Sequence, residues 1–388
     1  MVSEVHAYKN KFQEKAYHTT NVHELISHAE TVKDNEEDKM YLLKELLNSA
    51  VVLEFATIPI YLQAMWSIKD NNCEAAKSIR NIFQEEMLHM AMVCNMVAGL
   101  GGEPRIYYPN EPDKNLAFPS GLPGEVHPDL YLYLEGLSDC SLRNFMEIEL
   151  PNVIADIYDY DSGKLVNIGG LCNEDGKVTE PVHVHSPEYS NTIGKLYDKI
   201  NDLFQELRPK LDVERQLAGP LSWWVMKDAY SVSKAIDMIK EQGEGAEANH
   251  DGKEEVDIGW GDDMAHFYRF WEVLYNKRIE NIDGTYFFKD PLPRPDSYNV
   301  ARIPKGGYKQ EDVSDEVWFL LNEFDKTYTQ LVKLLQDAWA VNGRGQAALV
   351  NAIEVMFNLE KYAIPLMKIP IPGNADGQTY GPCFRMLT

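Results

Sequence analysis

No Lys/Arg-rich run occurs anywhere in this chain, and acidic residues outnumber basic ones by 61 to 37, a formal charge of −24. Phosphate neutralisation dominates nucleic-acid affinity, so nucleic acid is not an expected partner. An anionic membrane surface is equally unattractive to so acidic a chain. Cysteine is scarce too: Cys73, Cys94, Cys140, Cys172 and Cys383 form no C-x-x-C pair. That spacing indicates neither a zinc ribbon nor a disulfide framework, and it fits a reducing, cytoplasmic location. The N-terminal stretch MVSEVHAYKNKFQEK has no apolar core of a signal peptide. The longest apolar stretch, 50–66, is interrupted by Glu54 and Pro59 and is short for a membrane span.

What the chain does have is a large apolar fraction, 44%, enough for a sizeable core. Residues 1–36 read as an N-terminal arm, and 37–388 as a single domain. Leu43, Leu47, Ala50, Val51, Glu54, Phe55, Ile58 and Leu62 recur at spacings of three and four, which is one face of a helix. A second helix runs from about 73 to 99 and stops at Gly99, Gly101 and Gly102. Residues 103–136, rich in Pro, Gly and Tyr, read as a long loop. Further helices are expected over 138–150, 186–207, 231–241, 259–278, 314–341 and 344–366. The DSGK and NEDGK turns predict a small β-hairpin insertion over 154–185. The fold expected is all-α, a four-helix bundle covered by long loops, the insertion and two C-terminal helices.

The chemistry gathers on apolar helix faces. Glu86 and His89 stand three apart, on one side of a helix, among Ile82, Phe83, Met90 and Val93. A buried carboxylate and a buried imidazole are costly unless paired or metal-bound. Glu54 sits on the apolar face of the preceding helix, and Pro59 five residues later should kink it. Asp263 and His266 repeat the i, i+3 pairing, and Glu149 shares a face with Leu142, Phe145 and Met146. Pro151 puts Glu149 in a last helical turn, where a bare negative charge is unfavourable, so Glu188 and Asp198 compete with it as the third-helix ligand. One carboxylate from each of two helices, with a carboxylate-x-x-His from each of two others, is the ligand set of di-iron and di-manganese carboxylate bundles. Such oxygen and nitrogen donors suit two iron ions, with manganese or a mixed pair as alternatives. Glu54, Glu86, His89 and His266 are the residues expected to carry the catalysis. His183 and His185, Trp223 and Trp224, and the tyrosines 107, 108, 131 and 133 are read as hairpin surface and loop packing rather than as site residues.

LEFATIPIYLQAMWSI (53–68), EEMLHMAMVCNMVAGLGG (85–102), FMEIELP (145–151), DDMAHFYRFWEV (262–273) and the closing IPIPG…YGPCF (369–384) together resemble the ferritin-like domain of the iminophenylpyruvate dimer synthase type. That domain occurs in enzymes of violacein and rebeccamycin bis-indole biosynthesis and in stand-alone proteins. The large bis-indole enzymes carry additional sequence that this chain lacks. The turn TIGKLY departs from the pattern, with Lys195 where relatives carry an acidic residue. The resemblance implies a ferritin-like bundle and a non-haem di-iron oxidase or oxygenase in a biosynthetic pathway. Its co-substrate would be O₂ and its substrate a small organic, amino-acid-derived metabolite; a redox partner and a homo-oligomer are further expectations. Two alternatives stay open: iron oxidation and storage of the ferritin type, and a metal-free binding or structural bundle.

Overall fold

The computed structural model describes residues 21–32, 35–126, 130–151, 154–170, 172, 177–178, 193–218, 225–243 and 264–387. Its helices in chain order are α1 (Val22–Thr31), α2 (Glu36–Ser67), α3 (Glu74–Gly99), α4 (Asp139–Ile148), α5 (Ile193–Leu207), α6 (Ala229–Gly243), α7 (His266–Tyr275), α8 (Asp315–Trp339) and α9 (Gln346–Met367). Their ends follow local chemistry. Asn35 caps α2, its side chain accepting from the backbone N–H groups of Glu37 and Asp38, and three acidic residues in the first turn complement the helix dipole. Gly101, at φ 73°, turns the chain out of α3, and the following N–H of Gly102 bonds back to the Val97 carbonyl. Ser138 and Ser141 close α4 with a reciprocal capping box.

α2 and α3 form an antiparallel hairpin, α4 packs on α7, and α5 lies along α2. α8 and α9 make a second hairpin over the outer side of α2 and α3. α2 is buried almost all round. By length and composition it would cross a membrane, but 94% of its apolar window is inside the protein.

Three expectations change. The helix expected over 259–278 begins at His266 and ends at Tyr275, because Asn276 adopts the left-handed conformation that stops a helix. The chain then forms an unforeseen hairpin, β4 (Lys277–Ile282) and β5 (Thr285–Pro291), around Asp283-Gly284, both at positive φ. The insertion after residue 154 does turn back on itself, through Asp159 N–H to the Lys164 carbonyl and Val166 N–H to the Ile157 carbonyl. Its strand β3 (Ile157–Asp159) also pairs in parallel with β5, giving the order β3-β5-β4. The long loop carries a two-stranded ribbon of its own, β1 (Ser120–Gly121) with β2 (Tyr131–Leu132).

The third change concerns cysteine. Cys140 and Cys172 form a disulfide across 32 residues, which no local spacing pattern reveals. Disulfides persist in oxidising surroundings, so the scattered cysteines do not by themselves argue for a reducing compartment. Cys73, Cys94 and Cys383 are free. Thiol titration of the denatured protein should therefore count three thiols without reductant and five after reduction. Five in both conditions would refute the pairing.

Candidate metal centre

Five ionisable side chains meet at the centre of the bundle, all of them buried: Glu54 of α2, Glu86 and His89 of α3, Glu149 at the C-terminal cap of α4, and His266 at the first position of α7. They form two overlapping triads, Glu54–Glu86–His89 and Glu86–Glu149–His266, each with its donor atoms within 4.8 Å of one another. Glu86 belongs to both. Nδ1 of His89 lies 3.7 Å from Glu54 Oε2 and 3.5 Å from Glu86 Oε1. Nδ1 of His266 lies 2.9 Å from Glu86 Oε1 and 3.5 Å from Glu149 Oε2. The two rings face each other at 5.7 Å, tilted by 23°.

Each histidine turns the same nitrogen inward and is held by the other. His89 Nε2 is 2.8 Å from Gln242 Oε1, at the end of α6. His266 Nε2 is 2.7 Å from Glu85 Oε2, and that same oxygen accepts a 2.7 Å bond from Arg269 Nη1. With Nε2–H donating outward, Nδ1 faces the carboxylates, and loss of its proton would leave the lone pair of a metal-ligating histidine with its outer partner. The 2.9 Å approach of His266 Nδ1 to Glu86 is badly aligned for a hydrogen bond, so this buried nitrogen has no hydrogen-bond partner among the described residues.

Each carboxylate is tied by a hydroxyl. Thr57 donates to Glu86 Oε2 at 2.9 Å, Tyr61 to Glu149 Oε1 at 2.6 Å, and Tyr197 of α5 to Glu54 Oε1. Burial pushes Glu54 up to about 7, helped by the charge of Glu86 and opposed by His89 and Tyr197. Burial and Glu86 raise Glu149 as well, against His266 and Tyr61. Glu86 goes the other way: burial is outweighed by the imidazoles of His266 and His89 beside it. His89 rises to about 10 because Glu54 and Glu86 overcome its burial, and Glu149, Glu85 and Glu86 do the same for His266.

Asp263 lies outside the described residues, as do Glu188, His183, His185, Trp223 and Trp224. Asp198 is not at the centre: its half-exposed carboxylate pairs with Lys240 at 2.6 Å. Lys195 is exposed on α5. Tyr133 stacks under Arg302 and Tyr107 under Lys333, as loop packing. Sequence reasoning overlooked six supporting residues. Thr57 and Tyr61 follow Glu54 at i+3 and i+7, and Arg269 follows His266 at i+3, so helical spacing held that signal. Glu85, Tyr197 and Gln242 gave none, since their roles arise from helix packing.

A ferritin-like family profile matches residues 47–275, which contain all five side chains. The chain belongs to the ferritin-like family. A solved ferritin-like protein from Caulobacter vibrioides shares the fold at TM-score 0.54 and 18% identity, covering 88% of this chain and 97% of that one. No curated protein matches. The ferritin-like assignment thus agrees with the all-α bundle found here, with its donor set of three carboxylates and two imidazoles able to hold metal.

If Glu85 fixes His266 as described, Glu85→Ala should weaken divalent-metal affinity by about 10- to 100-fold, the usual effect of losing such an outer partner. Competition against a chromogenic chelator measures it, with thermal unfolding of the metal-free protein as the folding control. Unchanged affinity in a folded variant would mean that Glu85 does not hold His266 for a metal.

Proposed function

We propose that this protein is a non-haem dinuclear iron oxidase or oxygenase that uses O₂ on a small organic molecule, with manganese or a mixed pair as alternative occupants. The observation that carries this reading is the sharing of Glu86 by two triads, each with its own histidine and its own second carboxylate. Glu54 and His89 would hold one ion, Glu149 and His266 the other, and Glu86 would lie between them. Three carboxylates against two divalent ions leave one positive charge over; Asp263, three residues ahead of His266, is proposed as the fourth anionic ligand. When bound, such a metal pair supplies the electrons that activate O₂ for oxidation of a substrate. A redox partner would return them. The likeness to the iminophenylpyruvate dimer synthase type supports an amino-acid-derived substrate.

The protein's own side chains do the positioning. Tyr61, Thr57 and Tyr197 fix the carboxylate orientations, while Gln242 and Glu85 keep both imidazoles turned inward. Leu53, Ile148, Ile193 and Ile239 keep bulk water from the cluster. The space beside the carboxylates is only about 20 Å³, bounded by Gly194 of α5 and Gly243 of α6. That volume takes water or O₂ but no metabolite, so a larger substrate requires α6 to give way. The same narrowness favours a second reading, oxidation of ferrous iron itself for storage. The two separate on one observation: ferrous iron and O₂ alone should give limited turnover and no mineral in an oxidase, but a growing iron core in a storage protein.

Elemental analysis after anaerobic iron loading should give about two irons per chain in the wild type, as expected of such a bundle, and little in the Glu86→Ala/His89→Ala variant. A wild type that takes up no metal would sink both readings. Uptake should also depend on pH. Ligation needs neutral imidazole, and the raised His89, at about 10, keeps its proton at neutral pH in the metal-free protein. Affinity should therefore rise with pH, and binding at neutral pH should release protons, detectable by calorimetry in buffers of different ionisation enthalpy. Proton uptake would contradict the assigned ligands.

A further inference from the structure

A second cavity, remote from the acidic cluster, lies where α8 and α9 cover α2 and α3, and its volume is about 260 Å³. α2 and α3 each present two stripes. On α2, Glu54, Thr57 and Tyr61 serve the cluster, while Phe55, Ile58, Pro59 and Leu62 line the cavity. On α3, Gln84, Met87, Leu88 and Ala91 stand on the side opposite Glu86 and His89. Tyr328, Leu331 and Trp339 of α8 and Ala352, Met356 and Leu359 of α9 form the facing wall. Most of these side chains are buried, and the space opens to solvent along one side, past the exposed Gln84 and Ile353 and the half-buried Met87, Leu88, Ala91 and Met356.

Its chemistry is one-sided. No charged side chain lines it among the described residues, and the polar ones are Gln84, exposed at the rim, and Tyr328. Tyr328 is 2% exposed and its ring packs against Phe55 and Phe384, which also line the space. Its hydroxyl has no hydrogen-bond partner among the described residues. Buried hydroxyls are normally paired, so this one is a handle in an otherwise apolar chamber. In the same wall Pro59 has no N–H, which removes the helical donor of the Phe55 carbonyl. Methionines 87, 90 and 356 give the walls an adaptable shape.

We propose that this cavity binds an uncharged aromatic molecule of fused or linked rings carrying one hydrogen-bonding group, which meets Tyr328. An apolar cavity of about 150 Å³ accepts benzene, so the larger space here accommodates a larger ring system. The lack of a lining charge excludes anionic or cationic ligands, whose burial would be uncompensated. The assignment does not rest on the metal reading, since the cavity uses other faces of the helices.

The test is a fluorescence titration of the full chain with N-phenylnaphthylamine, against its sulfonated analogue anilinonaphthalene sulfonate. The neutral probe should bind saturably at one site per chain, with at least about tenfold preference over the charged analogue. Ala352→Phe, which fills the chamber, should abolish binding while leaving metal content unchanged. Tyr328→Phe should keep the fold and weaken binding several-fold through loss of one hydrogen bond. Met87→Trp fills the space from its half-buried rim and serves if Ala352→Phe does not fold cooperatively. No saturable signal, equal binding of the sulfonate, or binding unmoved in a folded filled variant would each overturn the proposal.

Discussion

Three carboxylates and two imidazoles held together inside an apolar bundle are the constraint on which the rest of this structure depends. Each ionised group taken from water costs several kcal/mol unless partners replace its hydration. The chain meets that cost with neutral donors as well as charges: a threonine and two tyrosines, each spent on one carboxylate. Those hydroxyls are themselves buried, which pushes Tyr61 and Tyr197 far above the ordinary phenol range and keeps them as donors. Arg269, also buried, answers the charge of Glu85 behind His266.

Helix ends sharpen the balance. Glu149 caps the C-terminus of α4, and His266 opens α7 at its N-terminus. A carboxylate at the negative end of a helix and an imidazolium at the positive end are both disfavoured by the macrodipoles. A neutral imidazole beside a cation relieves both. With Glu149 closing α4 and His266 opening α7, these two helix termini together favour a positive charge between them.

The bundle was legible in the sequence because its helices are long and their apolar spacing is regular, and the C-terminal pair lies close to its expected bounds. The end of α7 was not read correctly, although Asp283-Gly284 between alternating apolar residues was a hairpin signal that helical periodicity masked. Glu54, Glu86, His89, Glu149 and His266 were all named from faces and spacings, and the structure brings these five together. What stayed hidden was whatever depends on packing between distant segments: that Glu149 lies in the cluster and Asp198 outside it, the partners Glu85, Tyr197 and Gln242, the Cys140–Cys172 pairing and the chamber around Tyr328.

The outer partners of the two histidines differ in kind. His89 leans on the neutral amide of Gln242, whereas His266 leans on the carboxylate of Glu85. A carboxylate behind an imidazole makes the ring a more basic donor than an amide does. The centre is therefore lopsided: its α7 half holds the more basic imidazole, backed by Glu85 and Arg269, and its α3 half is tethered to the end of α6. The residue after Gln242, Gly243, lies against the Glu149 carboxylate, so the end of α6 borders both halves of the centre.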